Sequence, residues 1–257
     1  MTNHRKVAIV TGAAAGIGKA CALRFVRDGA RLVLSDIDPI RLQNVADLIC
    51  EQGGECLCVS ADVAGADASD ETARQALAAW GRIDILVANA GVQIGGDLLD
   101  ASEQDWDRLL GVNLKGVAYS CKSVIPAMLQ QGSGSIVIVS SVNALVGSAG
   151  MAIYDMTKAA VLALTRNLAA EFGLRGIRVN AVCPGNTLTD FHIDKMAKKG
   201  VSAEQIREMT KGYGLLGRIA EPQEIANAVS FLAGEQASFI TGHTLVVDGG
   251  FSVTGRA

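Results

Sequence analysis

The feature that most constrains this chain lies between residues 6 and 36, where strand, glycine turn, helix and a second strand ending in an acid follow one another. Lys6 to Thr11 reads KVAIVT, a β-branched run without polar alternation, as expected of a parallel strand covered on both faces. TGAAAGIG, from Thr11 to Gly18, then leads into the helical pattern KACALRFVRDG. Together these make a phosphate-binding unit. Gly12 permits the tight turn, Gly16 lets a backbone approach, Gly18 allows close helix packing, and the helix N-terminus at Ile17 faces a diphosphate. The spacing is G-x-x-x-G-x-G, so the generic dinucleotide fingerprint is not matched literally, and the same spacing also suits a glycine turn used only for packing.

The second strand, Arg31 to Ser35, ends in Asp36, about twenty residues past the glycines, where an acid can accept hydrogen bonds from an adenosine ribose. A 2′-phosphate there would meet a carboxylate, and the flanking Ala15 and Ile37 carry no charge to offset the repulsion. NAD is therefore expected rather than NADP. Asp36 could equally cap the helix that begins near Asp38 and Pro39, and the two roles are compatible.

The theme repeats along the chain. A helix over 39–52 and a strand over 55–60 lead to Asp62 and Val63, where the acid could bind an adenine amino group. A helix from Ala66 to Trp80 precedes the strand Ile83 to Ala88, which ends in Asn89, Ala90 and Gly91, small residues suited to close contact with a cofactor. Strands each followed by a helix predict a parallel doubly wound α/β sheet. Ser102 and Asp105 read as a capping box opening a long helical tract. Within that tract Gly116 can serve helix crossing, but Asn113 is a polar residue at a buried position and predicts a local distortion with a polar role.

Ser140 to Lys158, SSVNALVGSAGMAIYDMTK, carries the chemistry. If Tyr154 opens a helix, Lys158 stands one turn further along the same face. An ammonium about 4 Å from a phenol favours the phenolate by roughly 4 kcal/mol, about three pKa units, which brings the phenol near 7 as a proton acceptor. Ser141, at the end of the apolar run SIVIVS, would present its hydroxyl to a cleft and hold a carbonyl or carbinol oxygen. By itself, a tyrosine and lysine at this spacing is also what a solvated helical pair looks like.

The remainder fits one large α/β domain over 1–257, with a sixth strand ending in Pro184 and Gly185, a loosely patterned lid over about 186–214, and a helix opened by Pro222. Apolar residues are 49% and charged residues 19%, a globular balance, and a net charge of -3 provides no basic stripe for nucleic acid or anionic membrane. Small molecules and further copies of the chain are the expected partners. The six cysteines lack a C-x-x-C pair, so no metal is expected, and buried reduced thiols in a cytoplasmic protein are the favoured reading. No cleavable apolar segment is visible at the N-terminus.

Taken in order, TGAAAGIG, Asp62, Asn89-Ala90-Gly91, Asn113 with Gly116, Ser141, Tyr154 with Lys158, Pro184-Gly185, Thr189 and the closing VVDGG resemble the short-chain dehydrogenase/reductase family over almost the whole chain. The resemblance implies a Rossmann-type, seven-stranded parallel sheet of order 3-2-1-4-5-6-7 with a nicotinamide at its carboxyl edge. It implies Tyr154 as acid/base, Lys158 lowering its pKa and bonding the nicotinamide ribose, Ser141 rather than Ser140 positioning the reacting oxygen, and Asn113 holding a water that relays protons. Pro184, Gly185, Thr187 and Thr189 would cradle the carboxamide and phosphates. It further implies a homotetramer. The expected reaction is NAD-linked interconversion of a secondary alcohol and a ketone. Gln93, Asn143 and His192, polar and on loops near the cleft, favour a sugar, polyol or other small hydroxylated substrate. The alternatives are a 3-oxoacyl thioester reductase and, outside catalysis, a nucleotide-sensing protein on the same fold.

Overall fold

The computed structural model describes residues 5–254; Met1 to His4, part of the N-terminal stretch read above for a leader, lie outside the described residues. Seven parallel strands form one sheet: β1 (Val7–Thr11), β2 (Arg31–Asp36), β3 (Cys56–Ser60), β4 (Ile85–Ala88), β5 (Gly134–Val139), β6 (Ile177–Pro184) and β7 (Thr244–Val247). Their order is β3-β2-β1-β4-β5-β6-β7, as expected. The strands are apolar on both faces because both faces are covered. Val7, Ile9, Leu86, Ile136 and Ile138 enter one core cluster, whereas Ala8, Val10, Leu32, Leu34 and Val137 enter the other, so alternate residues of each strand feed opposite layers.

Among the described residues ten α-helices pack around or beyond this sheet: α1 (Gly16–Arg27), α2 (Pro39–Glu51), α3 (Ala66–Trp80), α4 (Glu103–Leu110), α5 (Val117–Gln131), α6 (Ala152–Phe172), α7 (Asp190–Ala197), α8 (Ala203–Met209), α9 (Pro222–Ala233) and the short α10 (Phe251–Thr254). Expected helix starts have local causes. Ser102 and Asp105 do form a reciprocal capping box at α4. Pro222 occupies the first turn of α9. At α2 the cap is Asp38, which accepts from the N–H groups of Ile40 and Arg41; Asp36 is not the capping residue. Asp38 is next to Pro39 and close enough to reach the free N–H groups of the first turn, whereas Asp36 still belongs to β2.

The long tract after Ser102 is one helix interrupted by a π-helical stretch, Gly111–Gly116, which contains Asn113. A Cβ on Gly116 would lie 2.8 Å from Val63 Cγ2, so that glycine is where the helix crosses the segment after β3. The thiols divide evenly. Cys21, Cys121 and Cys183 are buried as expected, but Cys50 is exposed on the outer side of α2, and on β3 Cys58 is exposed and Cys56 half-buried, because β3 is an edge strand only partly covered by α2. No helix among the described residues is long and apolar enough to cross a membrane.

The order of strands reverses between β1 and β4, and the crevice beyond their carboxyl ends is where a parallel sheet of this kind receives a ligand.

Candidate active site

A cleft of about 590 Å³ opens at that position. Gly12, Gly16, Ile17, Asp36, Asn89, Ala90, Gly91, Tyr154, Lys158, Pro184, Gly185, Thr187 and Thr189 line it, as do Gln93, Ser141, Asn143 and His192. Five residues proposed from sequence do not. Gly18 is a packing glycine: a Cβ there would stand 1.9 Å from the Gly12 carbonyl oxygen. Ile37 is 56% exposed on the surface beyond Asp36. Val63 is buried beneath Gly116, Asn113 is fully buried, and Asp62 is held outside by Arg108 at 3.3 Å. Arg108 itself reaches the cleft wall, a cation that sequence patterning did not single out.

The cofactor end is assembled by hydrogen bonds that tie the strand ends together. Thr11 Oγ1 accepts from the N–H groups of Asn89 and Ala90, and Asn89 Nδ2 donates to the Thr11 and Gly12 carbonyls. A Cβ on Gly12, whose φ is +65°, would lie 2.8 Å from Ala90 Cα, so only glycine fits where the two loops meet. Asp36 accepts from Ala14 N–H at 3.0 Å through Oδ2 and from Asp38 N–H at 3.0 Å through Oδ1. Each oxygen keeps a lone pair for a ribose hydroxyl. On the opposite wall Gly185 N–H donates to Val247, and a Cβ on Gly185 would meet Asp248 Cα at 2.7 Å, so the VVDGG end supports the Pro184-Gly185 loop from below.

This donor and acceptor set fits a nicotinamide dinucleotide: a glycine turn without side chains, a helix N-terminus, and an acid at the end of β2. The α1 N-terminus has a protein partner here, since Gly16 N–H donates to Asp190 Oδ2 at 2.6 Å. Asp194, one turn along α7, pairs with Arg41 of α2 at 2.9 Å. Arg41 is the nearby cation that could have met a 2′-phosphate, but Asp194 and Asp38 already engage it.

At the reacting end, α6 begins at Ala152, two residues before Tyr154, and β5 delivers the two serines. Their hydrogen bonds separate them. Ser140 Oγ donates to the Lys158 carbonyl at 2.8 Å and is structural. Ser141 caps a short 3₁₀ turn over Val142–Ala144 and its hydroxyl bonds the Tyr154 phenol. Lys158 meets Tyr154 in a different geometry from the expected head-on pair. Its ammonium lies 5.7 Å from the ring centroid, over the face, and donates to the Val139 carbonyl at 3.0 Å. Burial brings the lysine down to about 8. Burial also raises the Tyr154 phenol, and the Ser141 hydrogen bond is the opposing influence, so the phenol stands above its ordinary value rather than near 7. Desolvation outweighs the cation because the ammonium is aimed at a carbonyl instead of the phenol oxygen.

Asn113 uses its amide as a clamp. Oδ1 accepts from Val92 N–H at 2.8 Å, and Nδ2 donates to the Val92 carbonyl at 2.9 Å and to Thr157 Oγ1 at 3.3 Å. It therefore fixes the loop after Gly91 against α6. Asn143 Nδ2 donates to Asp155 Oδ1 at 2.8 Å, and His192 Nδ1 sits between Thr189 Oγ1 and the Thr187 carbonyl. Burial lowers the His192 pKa, which keeps the ring neutral. Gln93 is exposed at the cleft edge. Asp155 and Asp190 were missed in the sequence, although each directly follows a residue that was singled out, Tyr154 and Thr189.

Comparison with known proteins agrees with this geometry. A family model described as enoyl-(acyl carrier protein) reductase matches residues 12–252. Oxidoreductase UcpA of Escherichia coli is 40% identical over 248 residues, covering 95% of this chain and 94% of UcpA. The (2S)-[(R)-hydroxy(phenyl)methyl]succinyl-CoA dehydrogenase subunit BbsD of Thauera aromatica is 40% identical over 250 residues, covering 97% of this chain and 98% of BbsD. Among solved structures, a short-chain type dehydrogenase/reductase from Mycobacterium marinum superposes with a TM-score of 0.88 at 32% identity, over 96% of this chain and 95% of the other.

Proposed function

We propose, since the chain belongs to the short-chain dehydrogenase/reductase family and is an oxidoreductase of nicotinamide cofactors, that it interconverts a secondary alcohol and a ketone with NAD. The observation that carries the reading is the convergence of Ser141, Tyr154 and Lys158 on the cleft that Asp36 closes at its far end. Asp36 supports NAD because its carboxylate repels a 2′-phosphate and because the guanidinium of Arg41 is taken by acids.

The Ser141 hydroxyl holds the substrate oxygen and the Tyr154 phenol stands within its hydrogen bond, so a proton leaving the alcohol has an acceptor in place. Below about pH 8 the Lys158 ammonium is charged and its field favours the tyrosinate. Gly12, Gly16, Ile17, Asn89, Ala90, Gly91, Pro184, Gly185, Thr187 and Thr189 would hold the dinucleotide, which when bound accepts or returns a hydride at the carbinol carbon. Asn113 keeps the wall after Gly91 in place, and the segment over about 186–214 acts as the lid of one domain, with His192 on its inner side. Gly18 and Val63 act behind the cleft by packing, Gly18 against Gly12 and Val63 against Gly116, and Asp62 acts through Arg108, which it holds at the cleft wall.

Gln93 and Ser141 support a small hydroxylated substrate, a sugar or polyol. A second reading, an acyl thioester bearing a 3-oxo or 3-hydroxy group, is favoured by the similarity to BbsD, which is named for a succinyl-CoA substrate. Free thiols throughout suit a reducing cytoplasm. The exposed Met156, Ala159 and Ala163 stripe of α6 and the open β7 edge support a homotetramer.

The deciding experiment follows NADH absorbance over polyols, sugars and acyl thioesters, in both directions and with both nicotinamides. Turnover with NAD that Tyr154→Phe abolishes while retaining NADH binding is the expected result. Comparable efficiency with NADP would overturn the cofactor assignment, and substantial activity of Tyr154→Phe would overturn the chemistry. Cofactor binding without turnover of any substrate would favour a nucleotide sensor.

A further inference from the structure

We infer that Asp155 is a positioning residue, whose carboxylate fastens the 141–148 loop to the first turn of α6 and thereby holds Ser141 against Tyr154; the inference rests on the oxidoreductase reading of that pair. The connections form a closed circuit. Asp155 Oδ1 accepts from Asn143 Nδ2 at 2.8 Å, and Oδ2 accepts from Ser148 N–H at 3.1 Å. The Asn143 N–H in turn donates to Ser141 Oγ at 3.2 Å. One carboxylate thus grips the loop near both ends, and Asn143 transmits its position directly to the serine hydroxyl. Asp155 is itself anchored, its N–H donating to the Met151 carbonyl at 2.8 Å. Because Tyr154 and Asp155 are consecutive on a helix, they point about 100° apart, so the phenol can face the cleft while its neighbour holds the loop. A carboxylate suits the position because each oxygen accepts one donor without either partner turning.

The same group places a negative charge beside the phenol. The other groups facing Tyr154 are Lys158 on its own helix, Ser141 from the loop after β5, Cys183 from β6 and His192 from α7 across the cleft. Burial raises the Cys183 thiol and lowers the His192 ring, so both are neutral near pH 7. The Asp155 carboxylate is then the anion of the phenol's surroundings and the Lys158 ammonium the cation only below about pH 8, so in the range where the phenol ionises it is the carboxylate that resists the change. Its bracing and its charge can be separated. Asp155→Asn retains the shape, accepting from Ser148 and donating to a turned Asn143 amide, but removes the charge. Asp155→Ala removes both.

The test needs no substrate. The chain has only 3 tyrosines, Tyr119, Tyr154 and Tyr213, so ultraviolet titration of tyrosinate against Tyr154→Phe isolates the Tyr154 step. In Asp155→Asn that step moves to lower pH, because the carboxylate it removes is one of the influences that hold the phenol up. Amide exchange over 142–148 stays at the wild-type rate in Asp155→Asn and rises about tenfold or more in Asp155→Ala. With an active substrate, Asp155→Ala loses kcat about tenfold at unchanged KM for NAD, Asp155→Asn recovers it, and its pH limb follows the tyrosinate step. An unmoved Tyr154 step in Asp155→Asn, or unchanged exchange in Asp155→Ala, overturns the inference. If the tyrosinate and exchange shifts appear while every substrate stays silent, the bracing stands and the oxidoreductase reading is the one that fails.

Discussion

Lys158 is 4% exposed, and its ammonium is kept at a cost to folding. Its folded value is about 8 against 10.5 when unperturbed. Between those values the unfolded chain binds more protons than the folded one, so stability rises with pH through the window. Below pH 8 both states are protonated and the folded state carries the whole penalty, about 3 kcal/mol. Lys158→Met removes that penalty but leaves the Val139 carbonyl unpaired, which costs about 1 kcal/mol. The variant is therefore expected to be inactive yet more stable than wild type by about 2 kcal/mol at pH 7, an advantage that shrinks as pH rises from 8 toward 10.5. Urea unfolding at pH 7 and pH 10 checks this, and a variant less stable at pH 7 contradicts it. That Tyr154 and Lys158 come together was legible in the sequence because they share one helix face. Their mutual geometry was not, since the Val139 carbonyl that draws the ammonium aside lies on β5, 19 residues away.

Elements were readable wherever their causes are local. Apolar runs without alternation gave strands covered on both faces, and Ser102, Asp105 and Pro222 marked helix starts that the structure has. What escaped were contacts between distant elements. Asp190 and Gly16 are 174 residues apart in sequence, and no spacing rule connects them. Yet α7 depends on that contact and on Asp194 with Arg41 to lie against the glycine turn, where Thr189 also touches Gly16 closely enough that a Cβ would stand 3.2 Å away. The Asp190 carboxylate occupies an N–H at the positive end of α1 that would otherwise favour the diphosphate of a cofactor, and it adds a like charge. Asp190→Ala is expected to tighten NADH binding by about fivefold, corresponding to ~1 kcal/mol at a helix terminus. Fluorescence titration of NADH measures it, and a weakened complex would show that the contact organises the site instead of competing for it.

At the scale of the whole molecule, the sheet is covered on both faces but not at its ends. β7 is a terminal strand whose four residues are all half-buried, so its outer edge has backbone groups without a strand partner. Close by in sequence, Phe239 is 104% exposed in the turn that leads to β7, and Met156 is 48% exposed on α6 beside the small residues Ala159 and Ala163. A bare phenylalanine in the turn before an edge strand is poorly placed in water, and burying it fully is worth about 2 kcal/mol. Symmetry multiplies that gain, since in an isologous interface each copy contributes the same patch. Phe239→Asp inserts a charge into such a contact twice over, at several kcal/mol per dimer axis, without touching any residue of the cleft. Sedimentation at micromolar concentration should therefore find a tetramer for the wild-type chain and a smaller species for Phe239→Asp, with NADH binding retained. A wild-type monomer would leave the β7 edge and Phe239 facing solvent and remove the basis for the tetramer.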